Sequence, residues 1–530
     1  MNSLGRFLLP MALTLVLALH HPFSVRGQVP TFEWASLLTF QDPPHHAIDT
    51  QVDRDGNVIV AHYNWDNWAT SLTTSKTWSD HVVLKLDPAG NLLWQLAVLP
   101  NISKLAVDAA GNTYVAGSLL RGHPNNPVMP ATYFTSRGIS TTGNGTAYVA
   151  RIAPGGELEW VRLDGGAAVA DANDVAIAAD GSYFMAGIYT RSAATFGSTV
   201  LPAPLTTRAR NAFVAKYAAD GTLEWIRPGE SADENVFAGQ IALGPGNSLF
   251  LNWNGATINF GPGGEAISGS PLIRFSSSGD LLWAKPQGSF VTRIATDAEG
   301  NAFVTKRFDG LVLAKFNPDG TLLWERRPEE LDPDFVNYRA LAVNARGDAY
   351  AAGYFESPRV NGVRQPSRLT FGTHTVTTMA TDGFVVKFDS TGKPMWLTQT
   401  FNRDGDTEIR ALACDPRGGG LAILGGTRGT VELGNTLFDA PDAAAGGRGV
   451  FVARLAEPVP VTVELKVTRT DSGLMLSWPT TSSGFVLEKT GTLGADSWAA
   501  VAGTPVVEGG RNVMTLEVSG TGEFYRLRRP

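Results

Sequence analysis

The sequence predicts an all-β chain: a seven-bladed β-propeller closed by its own N-terminal strand, followed by a small β-sandwich. Three observations predict it. Glycine precedes tryptophan by four residues six times, at Gly90/Trp94, Gly156/Trp160, Gly221/Trp225, Gly279/Trp283, Gly320/Trp324 and Gly392/Trp396. A second pattern, an apolar run, a Gly turn and another apolar run, alternates with the first at Gly56, Gly111, Gly181, Gly246, Gly300, Gly347 and Gly418. The composition agrees: 58 glycines, 13 tryptophans and only 18% charged residues in 530 suit short strands joined by many turns.

The elements follow in chain order. Residues 1–27 read as a signal peptide: Arg6 supplies the positive start, Phe7 to Leu19 the apolar run, and Val25-Arg26-Gly27 a cleavage site. The run is short for a membrane span, so the mature chain is expected to begin near Gln28 without a transmembrane segment. Residues 28–458 carry the repeats. In each, an inner strand ends in an Asp-x-x-Gly-Asn type turn, and a second strand leads into a variable loop. A third strand, such as Val82-Val83-Leu84-Lys85-Leu86, and a Gly turn then lead to an outer strand bearing Trp. Uneven spacing between copies disfavours a stacked solenoid and suits a radial array. The seventh copy lacks a Gly-x-x-x-Trp hairpin, whereas Phe32-Glu33-Trp34-Ala35 supplies an unclaimed Trp strand 60 residues before Trp94. That strand is expected to complete the last blade and remove an open edge. Trp34, Trp94, Trp160, Trp225, Trp283, Trp324 and Trp396 are then assigned a structural role, packed between sheets. Residues 459–530 read as six short strands (461–467, 473–478, 485–489, 498–501, 513–518 and 523–527), which suits a small β-sandwich.

The repeats resemble those of the seven-bladed β-propeller repeat family of secreted bacterial proteins, often called SBBP repeats. The matching stretches are Asp297-Ala298-Glu299-Gly300-Asn301, Asn211-Ala212-Phe213-Val214-Ala215-Lys216-Tyr217 with Asp220-Gly221, Thr195-Phe196-Gly197, Thr370-Phe371-Gly372 and Gly229-Glu230-Ser231-Ala232-Asp233-Glu234. The resemblance covers about residues 30–456 and implies a propeller and an export route, secreted or periplasmic and open to cell-surface association. It implies no chemistry, because one scaffold hosts many functions.

Charge and motifs limit the function classes. Net charge is −7, and losing Arg6 and Arg26 leaves about −9, which disfavours nucleic acid or an anionic membrane as partner. The single Cys414 excludes an internal disulfide and is read as a small buried hydrophobe. No GxSxG, HExxH, P-loop or dinucleotide fingerprint occurs, so no catalytic residue, metal or cofactor is assigned. Asp53, Asp55, Asp108, Asp180, Asp297 and Asp415 are assigned to turn capping rather than calcium. The candidate ligand face is the one bearing the variable loops. There His62, Tyr63, Trp65, Asp66 and Trp68 could stack on a sugar and bond its hydroxyls. Asp171, Asp174, Asp233, Glu234, Asp332, Asp334, Asp404 and Asp406 are placed in linkers that could attract cations or basic peptides. The expected function is a non-enzymatic binding or scaffold module for a carbohydrate or protein ligand. A polysaccharide-acting hydrolase or lyase using the acidic linkers, and a cell-surface structural or adhesion protein, are the alternatives.

Overall fold

The structure, a computed structural model, describes residues 30–38, 45–64, 81–119, 134–135, 138–206, 208–231, 237–255, 257–260, 266–307, 311–331, 336–402, 405–434, 436–439, 449–457, 465–470, 473–480, 485–491, 498–517 and 523–528. Two compact units separate, one spanning Val29–Glu457 and the other containing Pro458–Pro530.

The larger unit is a β-propeller. Its first sheet pairs His45–Val52, Val58–Asn64, His81–Leu86 and Leu92–Leu99 antiparallel in chain order. The same four-strand order recurs, with inner strands Ile102–Val107, Val169–Ile177, Phe237–Leu243, Phe290–Thr296, Val336–Val343 and Asp406–Cys414. The last of these sheets takes its outer strand from the other end of the chain: Thr31–Leu38 pairs antiparallel with Gly449–Ala456, with Trp34 opposite Arg454 and Leu37 opposite Phe451. Among the described residues this makes seven four-stranded arrangements, the sixth and seventh bridged once, in parallel, at Thr381 and Asp406.

Side-chain alternation explains why the second strands begin with apolar runs such as Val58-Ile59-Val60-Ala61. In the first sheet Ile59 and Ala61 pack toward the second sheet, while Val58 and Val60 pack toward the seventh. A strand covered on both faces needs an unbroken apolar run rather than a half-polar one. Clusters of this kind join each sheet to its successor and the seventh to the first.

The Gly-x-x-x-Trp spacing has a specific use. Five of the six Gly turns receive the tryptophan of the preceding sheet rather than their own. Trp34 Nε1 donates to Pro88 O at 2.9 Å, Trp94 to Pro154 O at 2.8 Å, Trp225 to Ser277 O at 2.9 Å, Trp283 to Pro318 O at 2.9 Å and Trp324 to Ser390 O at 3.2 Å. The indole lies against the glycine: a Cβ on Gly90, whose φ is +89°, would sit 2.9 Å from Trp34 Cδ2. Glycine is required there both for the left-handed backbone and for the close approach. Trp160 and Trp396 pack instead against Tyr114 and Tyr350, each at 6.0 Å between ring centroids. Arg162 spans the second joint, donating to Gly221 O at 2.7 Å.

One charge interrupts the third strands. Lys85 Nζ lies 2.9 Å from Asp53, Lys315 Nζ 3.1 Å from Asp297 and Lys387 Nζ 3.0 Å from Asp348, and Arg454 pairs with Asp415. The acidic partner is the turn residue after the inner strand, or in the sixth sheet a residue later in that turn, so each pair ties the first and third strands of a sheet together. Removing one member of such a buried pair leaves a desolvated charge, whereas the intact pair satisfies both.

The smaller unit has two antiparallel sheets, one of Lys466–Thr470, Gly473–Pro479, Arg511–Leu516 and Val506–Glu508, the other of Ala499–Ala500, Val486–Thr490 and Phe524–Arg528. Leu476, Trp478 and Met514 of the first share a core with Leu487 and Leu527 of the second. Seven strands are described here against the six read from sequence; the addition is Val506–Glu508.

Candidate binding channel

The turns that end the inner strands fix what those strands present. Asp53 Oδ1 accepts the backbone N–H groups of Asp55 and Asn57, both at 2.9 Å, and Oδ2 accepts Asn57 Nδ2 at 2.8 Å. Asp297 repeats the arrangement with Glu299, at 3.1 Å, and Asn301, at 2.8 Å. Burial pushes the Asp53 carboxyl up, but the bonds from Asn57 and Lys85 outweigh it and hold the group below its ordinary range. With their oxygens on protein donors, these carboxylates serve the turn.

Counting back from each turn reveals a shared irregularity. The pairing register slips in all seven inner strands, between Ala47 and Asp49, Ile102 and Lys104, Ala172 and Asp174, Ala238 and Ile241, Val291 and Arg293, Tyr338 and Ala340, and Ile409 and Ala411. A bulge adds a residue without a partner and re-aims its neighbours. Here the bulges lie around one cavity of ≈ 90 Å³, whose lining includes Asp49, Lys104, Asp174, Gln240, Arg293, Ala340 and Arg410, one residue from each sheet. The volume is enough for several waters or one small polar group, since a single water needs roughly 10–15 Å³.

The lining is electrostatically divided. On one side Asp49, 4% exposed, pairs with Lys104 at 3.1 Å and accepts Leu105 N–H of the next sheet at 3.0 Å. Asp174, 2% exposed, accepts Val175 N–H at 2.8 Å and Ile241 N–H, again of the next sheet, at 2.9 Å. Burial pushes the Asp174 carboxyl up to about 6; Lys104 and the two amides oppose that rise and Asp49 adds to it. On the other side stand Arg293 and Arg410, from the fifth and seventh inner strands, with Ala340 and Leu341 of the sixth between them. Arg410 pairs with Glu408 at 2.6 Å. Burial, together with Arg339 and Arg410, holds the Arg293 guanidinium below its usual range, only partly offset by Asp49 and Asp174.

The described residues among those singled out from sequence for ligand binding fall in three different strands. His62 is 0% exposed and belongs to the strand Val58–Asn64, which also takes in Tyr63, so neither is a loop residue. The buried neighbour His81 accepts Ile102 N–H on Nδ1 at 2.9 Å, and burial, aided by His62, lowers it to about 3. Trp65, Asp66, Trp68, Asp233, Glu234, Asp332, Asp334 and Asp404 lie outside the described residues. Asp406 begins the seventh inner strand, 3.7 Å from Arg364. Asp171 and Asp174 were expected in a linker; both are inside the strand Val169–Ile177, where the bulge carries Asp174 to the channel. Cys414 is half-buried at the end of its strand. Asp49, Lys104, Arg293, Arg339 and Arg410 were not singled out. Their common signal is position, since each lies four or five residues before the inner turn. Among the described residues no helix is long and apolar enough to cross a membrane.

No sequence family and no curated protein matches the chain. Similar solved structures include a catalytically inactive virginiamycin B lyase from Staphylococcus aureus with quinupristin, at 10% identity and a TM-score of 0.42, covering 79% of this chain and 98% of that one. BamB from Moraxella catarrhalis is similar at 14% identity and 0.35, covering 80% and 100%. The Dos1 propeller is similar at 9% identity and 0.42, covering 80% and 95%.

Proposed function

We propose that this chain is an exported, non-enzymatic binding or scaffold module that takes its ligand at the central channel and the loop face around it. In this reading the seven sheets are the blades of one closed ring of the SBBP kind, and the residues after Pro458 are a small β-sandwich. The observation that carries the reading is the channel lining, to which every sheet contributes. Apolar cores on both sides of each sheet support a rigid mounting for those groups, so little ordering entropy is lost on binding. A carbohydrate or a protein remains the ligand class for the wider loop face.

A second reading, a polysaccharide-acting hydrolase or lyase, draws on Asp174. A carboxyl held up to about 6 beside Asp49 is what a general acid requires. Against it, both Asp174 oxygens accept backbone N–H groups, which is a tie between strands. Incubating the mature protein with a polysaccharide and glycan panel separates the two, with bound ligand and newly released chain ends measured together. Binding without cleavage supports the module. Cleavage that disappears in Asp174→Asn installs the enzyme instead, and neither binding nor cleavage sinks both. Export is tested by sequencing the N-terminus of the protein outside the cytoplasm, expected at Gln28. Deleting residues after Pro460 tests attachment: lost surface retention would favour the adhesion alternative.

A further inference from the structure

We propose that the arginine side of the channel holds one small oxyanion, a carboxylate or phosphate group, between Arg293 and Arg410; this rests on the channel being the binding site. The fifth and seventh sheets line the cavity with a guanidinium at the inner-strand bulge, the sixth with Ala340, and the other four with Asp49, Lys104, Asp174 and Gln240. The acidic side does not neutralise them. Asp49 is engaged by Lys104 at 3.1 Å, and the Asp174 oxygens by two amides at 2.8 and 2.9 Å. Among the described residues no carboxylate comes within ion-pair distance of Arg293, whose Nη1 donates only to Thr292 O at 2.7 Å. Arg339, of the sixth sheet, is outside the lining, its guanidinium 5.6 Å from the Tyr354 ring centroid, and adds positive field at Arg293 rather than a contact. Arg410 commits Nε and Nη2 to Glu408, at 2.8 and 2.6 Å.

Guanidinium groups gathered in a partly buried polar cavity repel one another and are poorly hydrated. An anion answers both costs, and the planar fork matches the spacing of carboxylate and phosphate oxygens. Size narrows the ligand further: a cavity of ≈ 90 Å³ takes a single charged group rather than a sugar ring or a folded peptide. Free phosphate and the carboxylate of a small organic acid share this chemistry.

Calorimetric titration of the mature protein with sodium phosphate and with sodium acetate, at ionic strength held constant by chloride, tests the site and tells the two sources apart. Saturable uptake of one anion per chain is expected. Losing one charge-assisted contact in Arg293→Met or Arg410→Met should weaken it about 10- to 100-fold. Arg469→Met, in the smaller unit, should leave it unchanged. Should Arg293→Met fail to fold, Arg293→Lys keeps the charge but not the fork, and it too is expected to bind more weakly. Absence of saturable uptake by the wild type overturns the proposal, as does equal uptake by the folded arginine variants. A wild type that takes a neutral glycan but neither anion removes the oxyanion and leaves the binding module standing; one that takes neither removes both.

Discussion

Replacing Trp34 with alanine is the sharpest test of how the ring is held. Its indole is half-buried in the cluster joining the seventh and first sheets, lies over Gly90 and donates to Pro88 O at 2.9 Å. A fully buried Trp→Ala change costs about 3–5 kcal/mol, so a half-buried one should cost about 2. The lost hydrogen bond adds about 1 kcal/mol, since the Pro88 carbonyl can be rehydrated near the surface. The total for Trp34→Ala is therefore about 3 kcal/mol, whereas Trp34→Phe, which keeps most ring contact, should lose only about 1. Urea unfolding followed by circular dichroism reads the order wild type, Phe, Ala. Native-state hydrogen exchange reads the location: in the Ala variant amides of Thr31–Leu38 should exchange faster, while those of Val169–Ile177, across the ring, keep their protection. Unchanged urea midpoints and unchanged exchange in Thr31–Leu38 would refute the reasoning, because the staple would then contribute nothing to the joint.

Three further outcomes are expected. His81 is held neutral down to about 3, so its contribution is complete above the free histidine value of about 6.5 and is lost as pH falls below it, at up to about 1.4 kcal/mol per pH unit; His81→Asn, whose Oδ1 can take the Ile102 N–H, should flatten the urea midpoint between pH 6 and 4. Asp174 behaves oppositely. Its carboxyl is raised to about 6, so the stability tied to its protonated form is complete below the ordinary carboxylate range and is lost as pH rises through about 6; a carboxyl carbon titration by NMR should show that midpoint, and Lys104→Met should move it higher. Lys315→Met strands Asp297 in the fifth sheet and should cost about 3 kcal/mol, with Lys315→Met/Asp297→Asn recovering part of it, as read by thermal melting.

The repeat was legible because its signals are local. Gly90 and Trp94 belong to one hairpin, and four residues of chain fix their relation, although the Trp94 indole is delivered to Pro154 of the next sheet. The propeller followed from those hairpins and the alternating Gly turns. The channel was much less legible. The sequence places Asp174 in a linker after the Trp160 strand, whereas the inner strand already begins at Val169 and an inserted residue at Asn173 breaks its register. His62 and Tyr63 were read as loop because aromatic and polar residues interrupt the apolar run, yet the strand continues to Asn64. Arg293 and Arg410 sit in strands where a lone cation reads as a solvent-facing residue. Their convergence depends on segments more than a hundred residues apart, and no short-range spacing encodes it.

Because Trp34 stands opposite Arg454, about 420 residues later, the outermost strand of the final sheet is made first and finds its place last. Throughout synthesis Thr31–Leu38 has no ladder to join, and when Gly449–Ala456 emerges its outer edge is bare until that early strand arrives. Any product cut short before Gly449 therefore carries an orphan strand ready to pair with a neighbouring chain. A gene rearranged so that both segments lie side by side in one polypeptide stretch would supply the same sheet from local pieces, and should refold faster while aggregating less.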